Sequence, residues 1–199
     1  MNQNRQKYLE AIKAQLEPNI FNHSLALEAC LLGIYDYLKE NNQLDSSEPT
    51  REEWGIAGLI HDIDYCGEYK QTHPLKTIEI LQKYNLEISP TVDQIVKLHD
   101  ARAGLPAGVL AKAGWAIRCA DSLTGLIMAV AFVYPSKKLA DVKTSSVVKR
   151  FLKEPKFAAG TRRDEVALCQ NPDTLNIPLE KFIEICLTSM QNIATEIGL

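Results

Sequence analysis

The chain has no cysteine pair spaced as Cys-x-x-Cys. Its five cysteines, at 30, 66, 119, 169 and 186, are odd in number and widely spaced. That argues against a disulfide framework and against a cysteine zinc knuckle. Cys30, Cys119 and Cys186 fall in apolar helical patterns, where a free thiol acts as a small hydrophobe. Long apolar runs are missing as well. The longest, Leu126 to Tyr134, falls far short of the ~18 to 20 uninterrupted residues of a membrane span, so no membrane partner is expected. The polar start, Met1 to Lys7, does not read as a secretory leader. These lacks point to the reducing cytoplasm. Strand-like alternation is nearly absent, and neither an internal repeat nor a low-complexity linker is evident. The segment 137–163 is short of aromatics. Only Phe151 and Phe157 occur there, and both read as core, so a stacking platform for nucleic acid is not expected.

What is present fits one compact domain. The 199 residues are 46% apolar and 24% charged, which is ordinary for a globular protein with a sizeable core. The net charge of −3 is unevenly spread. Between Lys137 and Arg163 nine basic residues face only Asp141 and Glu154, so this segment carries +7 and the rest of the chain −10. Such asymmetry fits either a solvated helical face or a phosphate-bearing partner.

The periodicity predicts an all-α bundle. Helices are expected over about 3–16, 20–40 and 50–61, the third opened by a capping box of Thr50 and Glu53. The second would turn Leu25, Ala29 and Leu32 inward. A loop over 66–72 precedes a fourth helix from Pro74, with Leu75, Ile78, Leu81 and Tyr84 as its apolar stripe. Ser89 and Pro90 open a fifth, with Val92, Ile95 and Val96 inward and His99 at its end. A loop over 101–108 leads to a long central helix, about 109–133, stopped by Pro135. Shorter helices follow near 143–153 and 162–170, the latter with Thr161 and Asp164 as a capping pair. A final amphipathic helix starts at Pro178. A single domain over 1–199 is expected, its motifs within about 20–126 and a helical extension over about 136–199.

The chain has only four histidines, His23, His61, His73 and His99. All four fall at predicted helix ends or starts. His61 is followed by Asp62, so an imidazole and a carboxylate close the apolar run from Trp54 to Ile60. A further carboxylate, Asp121, lies among Ile117, Cys119, Ala120 and Leu123. A bare carboxylate there is disfavoured unless it is paired, protonated or bound to a cation. Arg118, three residues earlier on the helix surface, is one candidate partner; a metal ion is the other. Bundles build such sites from side chains on facing helices. Histidine with aspartate suits zinc, iron, manganese and related divalent ions.

The order His, His-Asp, His, His, Asp is similar to that of the HD-domain superfamily of metal-dependent phosphohydrolases. Asn22-His23-Ser24-Leu25-Ala26 resembles that family's first-histidine helix, and Gly58-Leu59-Ile60-His61-Asp62-Ile63-Asp64-Tyr65 its central motif. Thr72-His73-Pro74 and Lys97-Leu98-His99-Asp100 resemble its intervening histidines, and the stretch from Ala120 to Leu126 its last-aspartate helix. The stretches Pro135 to Val142 and Lys156 to Gly160 resemble a subgroup of small stand-alone HD hydrolases. The likeness covers about residues 20–190. Asp64 stands where the His-Asp-Ile-Gly variant has glycine, and no Gly-Tyr-Pro signature is found. Both features weaken a direct transfer from the cyclic-dinucleotide phosphodiesterase subgroup.

The resemblance implies that His23, His61, Asp62 and Asp121 hold one divalent ion. It implies that His73 and His99 serve a second, with Asp62 between the two. Iron, manganese, magnesium, zinc, cobalt and nickel all remain open. The expected reaction is hydrolysis of a small phosphorylated molecule, a nucleotide foremost, by metal-activated water. Lys137 and Lys138 are the expected phosphate contacts. Asp64 and Asp100 are candidate general bases, or alternatively supports for a histidine. Two other readings stand beside this one: a metal- or nucleotide-binding regulatory module without turnover, and a di-iron oxygenase on the same scaffold. Homo-oligomerisation is left open.

Overall fold

The computed structural model describes residues 3–100 and 112–199, and within them every regular element is helical. In chain order these are α1 (Gln3–Gln15), α2 (Pro18–Glu40), α3 (Arg51–Ile60), α4 (Thr77–Lys83), α5 (Pro90–Leu98), α6 (Lys112–Val133), α7 (Thr144–Lys153), α8 (Arg163–Ala167) and α9 (Leu179–Asn192). The expected loop at 101–108 and the expected start of the long helix at 109 lie outside the described residues.

One hydrophobic core runs from Tyr8 to Ile197 and joins the early helices to the 136–199 extension. The helix α2 is its hub and packs against α3, α6 and α9. Its most deeply buried row is Leu27, Leu31, Ile34 and Leu38. The expected row differs: Leu25 is buried, but Ala29 and Leu32 are only half-buried. A helix covered on several sides has no single inward stripe, so one period cannot identify its deepest face. Each such side chain removed from water contributes about 1.5–3 kcal/mol.

The contact between α2 and α3 depends on glycine. A Cβ at Gly58 would stand 3.0 Å from both the backbone N and Cα of Glu28. Backbone cannot yield as a side chain can, so the two helices meet this closely only because residue 58 has no side chain. Thr50 opens α3 with the expected capping box: its hydroxyl accepts from Glu53 N, and its own N–H donates to the Glu53 carboxylate. The closely docked α3 then delivers His61 next to His23 of α2.

Three local expectations are corrected. The helix expected from Pro74 starts at Thr77 and buries Thr77, Ile80 and Leu81. Leu75 and Ile78 are 55% and 43% exposed: Leu75 precedes the helix, and the inward row of Thr77, Ile80 and Leu81 leaves Ile78 on the outer side. The loop over 66–72 holds a 3₁₀ turn, Gly67–Gln71. The pair Thr161 and Asp164 does not cap α8: Arg162 occupies the N-cap position, with no side-chain cap.

The helix α6 is 22 residues long and apolar enough to cross a membrane by length and composition alone. Here it is packed inside the bundle, where Ala116, Ile117, Ala120, Leu123, Leu126 and Ile127 are all fully buried. Buried Asp121 lies near its middle. Part of the basic segment is consumed internally. Arg163 donates to the carbonyls of Phe151, Glu154 and Phe157, and Arg150 pairs with Glu154 at 2.8 Å.

Candidate metal centre

Five stretches of chain converge on one point. His23 comes from α2, His61 caps the C-terminus of α3, and Asp62 follows it. His73 follows the 3₁₀ turn, His99 caps the C-terminus of α5, and Asp121 projects from α6. His61, Asp62, His73, His99 and Asp121 are all buried.

The hydrogen bonds behind the histidines fix which ring nitrogen faces inward. The Nδ1 of His61 lies 2.9 Å from the Gly58 carbonyl, and that of His99 2.5 Å from the Val96 carbonyl. A carbonyl only accepts, so both Nδ1 atoms carry the proton. The Nδ1 of His73 donates to Asp64 Oδ1 at 2.6 Å. The Thr124 hydroxyl donates to the Asp121 carbonyl at 2.6 Å, which leaves it to accept from His23 Nδ1 at 2.9 Å. With each neutral ring protonated at Nδ1, all four Nε2 atoms present lone pairs to the interior. They meet in two pairs, His23 with His61 at 3.1 Å and His73 with His99 at 2.9 Å. Lone pairs facing at that distance repel unless a cation or a proton lies between them.

Asp62 divides its oxygens between these pairs. Its Oδ2 is 3.3 Å from His61 Nε2 and 3.7 Å from His23 Nε2. Its Oδ1 is 3.3 Å from His73 Nε2 and 3.8 Å from His99 Nε2. Two triads result, His23-His61-Asp62 and Asp62-His73-His99, each with its ligand atoms within 4.8 Å of one another. Asp121 stands beside the first triad, its Oδ1 3.0 Å from His23 Nε2 and 3.8 Å from His61 Nε2. Nitrogen and carboxylate oxygen in this proportion suit first-row divalent ions, and the buried His/Asp group is able to bind metal.

The electrostatics favour positive charge. Burial alone would raise the Asp62 and Asp121 carboxyls, but the histidines around them more than offset it and hold both below the ordinary carboxylate range. Burial opposes a charge on His23, yet its hydrogen bond to Asp121 and the field of both carboxylates raise its pKa. Burial, with His61 and His73 alongside, pushes His99 down to about 4. One ring is thus inclined to hold a proton and another to stay neutral. Metal binding displaces protons from such sets.

The other expected site residues fall differently. Asp64 is fully buried with both oxygens engaged, Oδ1 by His73 and Oδ2 by the Lys76 backbone N–H at 2.8 Å. Both contacts place it behind His73, as a support for that ring. Asp100 is half-buried at the bend after α5. Lys137 and Lys138 are exposed in the turn beyond α6, whose end at Val133 lies about 18 Å along the helix axis from Asp121. Among the described residues, neither lysine belongs to the His/Asp groups of the cluster. The cation at Asp121 is Arg162, whose Nη2 donates to Oδ2 at 2.5 Å. Arg118, three residues before Asp121, pairs with Glu165 instead. Arg162 and Thr124 escaped the sequence reading. Arg162 is 41 residues from its partner, inside a basic run that reads equally well as surface charge. Thr124 had a local signal, since a hydroxyl three residues after Asp121 can reach back to the Asp121 carbonyl.

A groove of about 310 Å³ adjoins the cluster, lined by His23 and by Asp121, Ser122 and Gly125 of α6, together with residues 158–161. Comparison with family models, curated proteins and solved structures finds no match to this chain.

Proposed function

We propose that this chain is a metal-dependent phosphohydrolase of the HD-domain type, acting on a small phosphorylated molecule. The observation that carries the reading is the shared carboxylate: two histidine pairs, each with bare Nε2 lone pairs, are joined by the two oxygens of Asp62. Divalent ions held there would acidify water and neutralise charge on a phosphoryl oxygen, which is the chemistry that phosphoester hydrolysis needs. The reaction joins the oxygen of water to phosphorus, breaks the phosphorus–oxygen bond to the leaving group and returns a proton to that oxygen.

The chain's own residues supply the frame. Gly58, Val96, Asp64 and Thr124 hold the four rings by their Nδ1 atoms. Arg162 ties down the outer oxygen of Asp121, so that its Oδ1 faces His23. The ordered motif set over residues 20–190, with its likeness to HD hydrolases, supports hydrolysis over other uses of a histidine–carboxylate site.

The test is metal analysis of the purified protein together with a phosphoester panel, for wild type, Asp62→Ala and Asp121→Ala. Wild type is expected to hold one to two equivalents of divalent metal and release phosphate, and Asp62→Ala to lose both. Unchanged metal content in both variants would refute the site. Metal without phosphate release would favour a regulatory module, and oxygen-consuming turnover would replace hydrolysis with oxygenation.

A further inference from the structure

We infer that the groove between α6 and residues 158–161 receives the organic part of the substrate, a compact uncharged group esterified to a single phosphate. The inference rests on the phosphohydrolase reading and adds to it the leaving-group pocket and the residues that shape it.

The first observation is Gly125. It sits in the middle of α6, eight residues before the helix ends, and its φ is not positive. Neither a turn nor a helix cap calls for glycine there. Glycine inside a helix is less stable than alanine, so its presence needs a reason. Packing supplies none: a Cβ built at Gly125 meets no atom within 4 Å, in contrast to Gly58, where backbone stands at 3.0 Å. Gly160, in the opposite wall, is equally open. Both glycines are exposed, so the space over them is solvent at the rim of the groove, which a bound group could enter without displacing protein atoms. Ala158 holds a φ of 46°, a left-handed conformation that L-residues adopt at a cost, in the strand of chain that faces α6 here. Backbone held in such regions recurs at ligand sites.

The second observation is what the groove shares with the cluster. His23 and Asp121 line both, and the cluster's Nε2 atoms face one another at 2.9 and 3.1 Å. That arrangement calls for charged partners independently of the glycines. A phosphoryl group drawn to the cluster would leave its substituent over Gly125.

The lining sets the chemical class. Among the described residues, the groove offers the Ser122 and Thr161 hydroxyls and the methyl groups of Ala158 and Ala159, with no lysine or arginine in its walls. Ser122 Oγ accepts from Arg162 N and keeps its own proton to donate. The nearest guanidinium, Arg162, is already engaged by Asp121 and Glu165. A chain of further phosphates requires cations along its length, and these walls do not provide them. An uncharged group with a flat or small-profile face and a hydroxyl partner fits better.

The experiment titrates the metal-loaded full chain with inorganic phosphate, phenyl phosphate and inorganic triphosphate by calorimetry, comparing wild type with Gly125→Leu and Gly160→Leu. Leucine favours the helix at 125, and its Cβ meets no protein atom within 4 Å; metal content and the unfolding transition verify folding in each variant. Wild type is expected to bind phenyl phosphate more tightly than phosphate or triphosphate. In Gly125→Leu the affinity ratio of phenyl phosphate to phosphate should fall tenfold or more. If both variants keep the wild-type ratio, or triphosphate binds best, the groove assignment is overturned. The phosphohydrolase reading would survive that result, provided phosphate binding depends on Asp62. Absence of any phosphate binding by the metal-loaded wild type would overturn both.

Discussion

Replacing Asp64 with asparagine separates the two roles open to that carboxylate. Asp64 is fully buried, with Oδ1 2.6 Å from His73 Nδ1 and Oδ2 2.8 Å from the Lys76 backbone N. Both partners are donors, and a carboxylate satisfies both. Asparagine offers one acceptor and one NH₂, so one donor must face another. A buried donor left unsatisfied costs about 1–3 kcal/mol. The backbone N–H of Lys76 cannot change its proton, whereas the ring of His73 can. The mismatch therefore falls on His73, which either rotates or moves its proton to Nε2 and presents N–H to the cluster instead of a lone pair. Partners standing behind metal-ligating histidines are typically worth about 10–100-fold in metal affinity, or about 1.4–2.7 kcal/mol. Asp64→Asn should weaken one equivalent of metal by that factor in a chelator competition, with turnover recovering as metal is raised. If Asp64 instead accepts the proton during hydrolysis, metal affinity will stay at the wild-type value. Turnover at saturating metal would then drop about 10²–10⁴-fold, and that result would refute the positioning role.

Three other outcomes are expected. Arg162→Ala should lower metal affinity about tenfold, with Arg162→Lys partly restoring it. Arg162 is half-exposed but its partner Asp121 is buried, so the metal-free variant should lose about 1–3 kcal/mol in urea unfolding, and metal affinity and stability both unchanged would contradict its assignment to Asp121. Gly58→Ala gains about 1 kcal/mol of helix propensity but forces a Cβ to 3.0 Å from the Glu28 backbone, an overpacking worth about 1–3 kcal/mol. Net destabilisation with weaker metal binding is expected, and a more stable variant would show that α2 and α3 are free to separate. In metal-free protein, His99 has a folded pKa of about 4 against an ordinary 6.5, so the unfolded chain binds the extra proton between those values. Stability should fall as pH drops from 6.5 toward 4. The raised pKa of His23 acts above 6.5 and does not cancel this loss. His99→Gln should flatten that arm of a pH-dependent unfolding series, and an unchanged slope would remove His99 as its source.

The helices were legible because their signals are local. Thr50 with Glu53, Ser89 with Pro90, and the apolar spacing from Phe182 to Met190 each act within a few residues, and each holds in the structure. The phase of α4 was not legible. Its inward face depends on where the chain leaves the His73–Lys76 stretch, and that is set in part by Asp64 accepting from the Lys76 N–H, a contact twelve residues long in sequence. The six metal-type residues were legible for a different reason. Histidine is scarce here, and a carboxylate such as Asp121 among apolar neighbours has few stable fates. What surrounds them was not, because charge pairing in a bundle is decided by which helices face one another. Arg118 is Asp121's neighbour along the helix, yet it turns to Glu165, and Arg162 arrives from a distant turn to take its place. The exchange has a physical logic. Arg162 engages Oδ2, while Oδ1 stays 3.0 Å from His23 Nε2. Asp121 thus keeps one oxygen neutralised and the other directed at the centre, which is the condition for a buried carboxylate to remain ionised and still serve a metal.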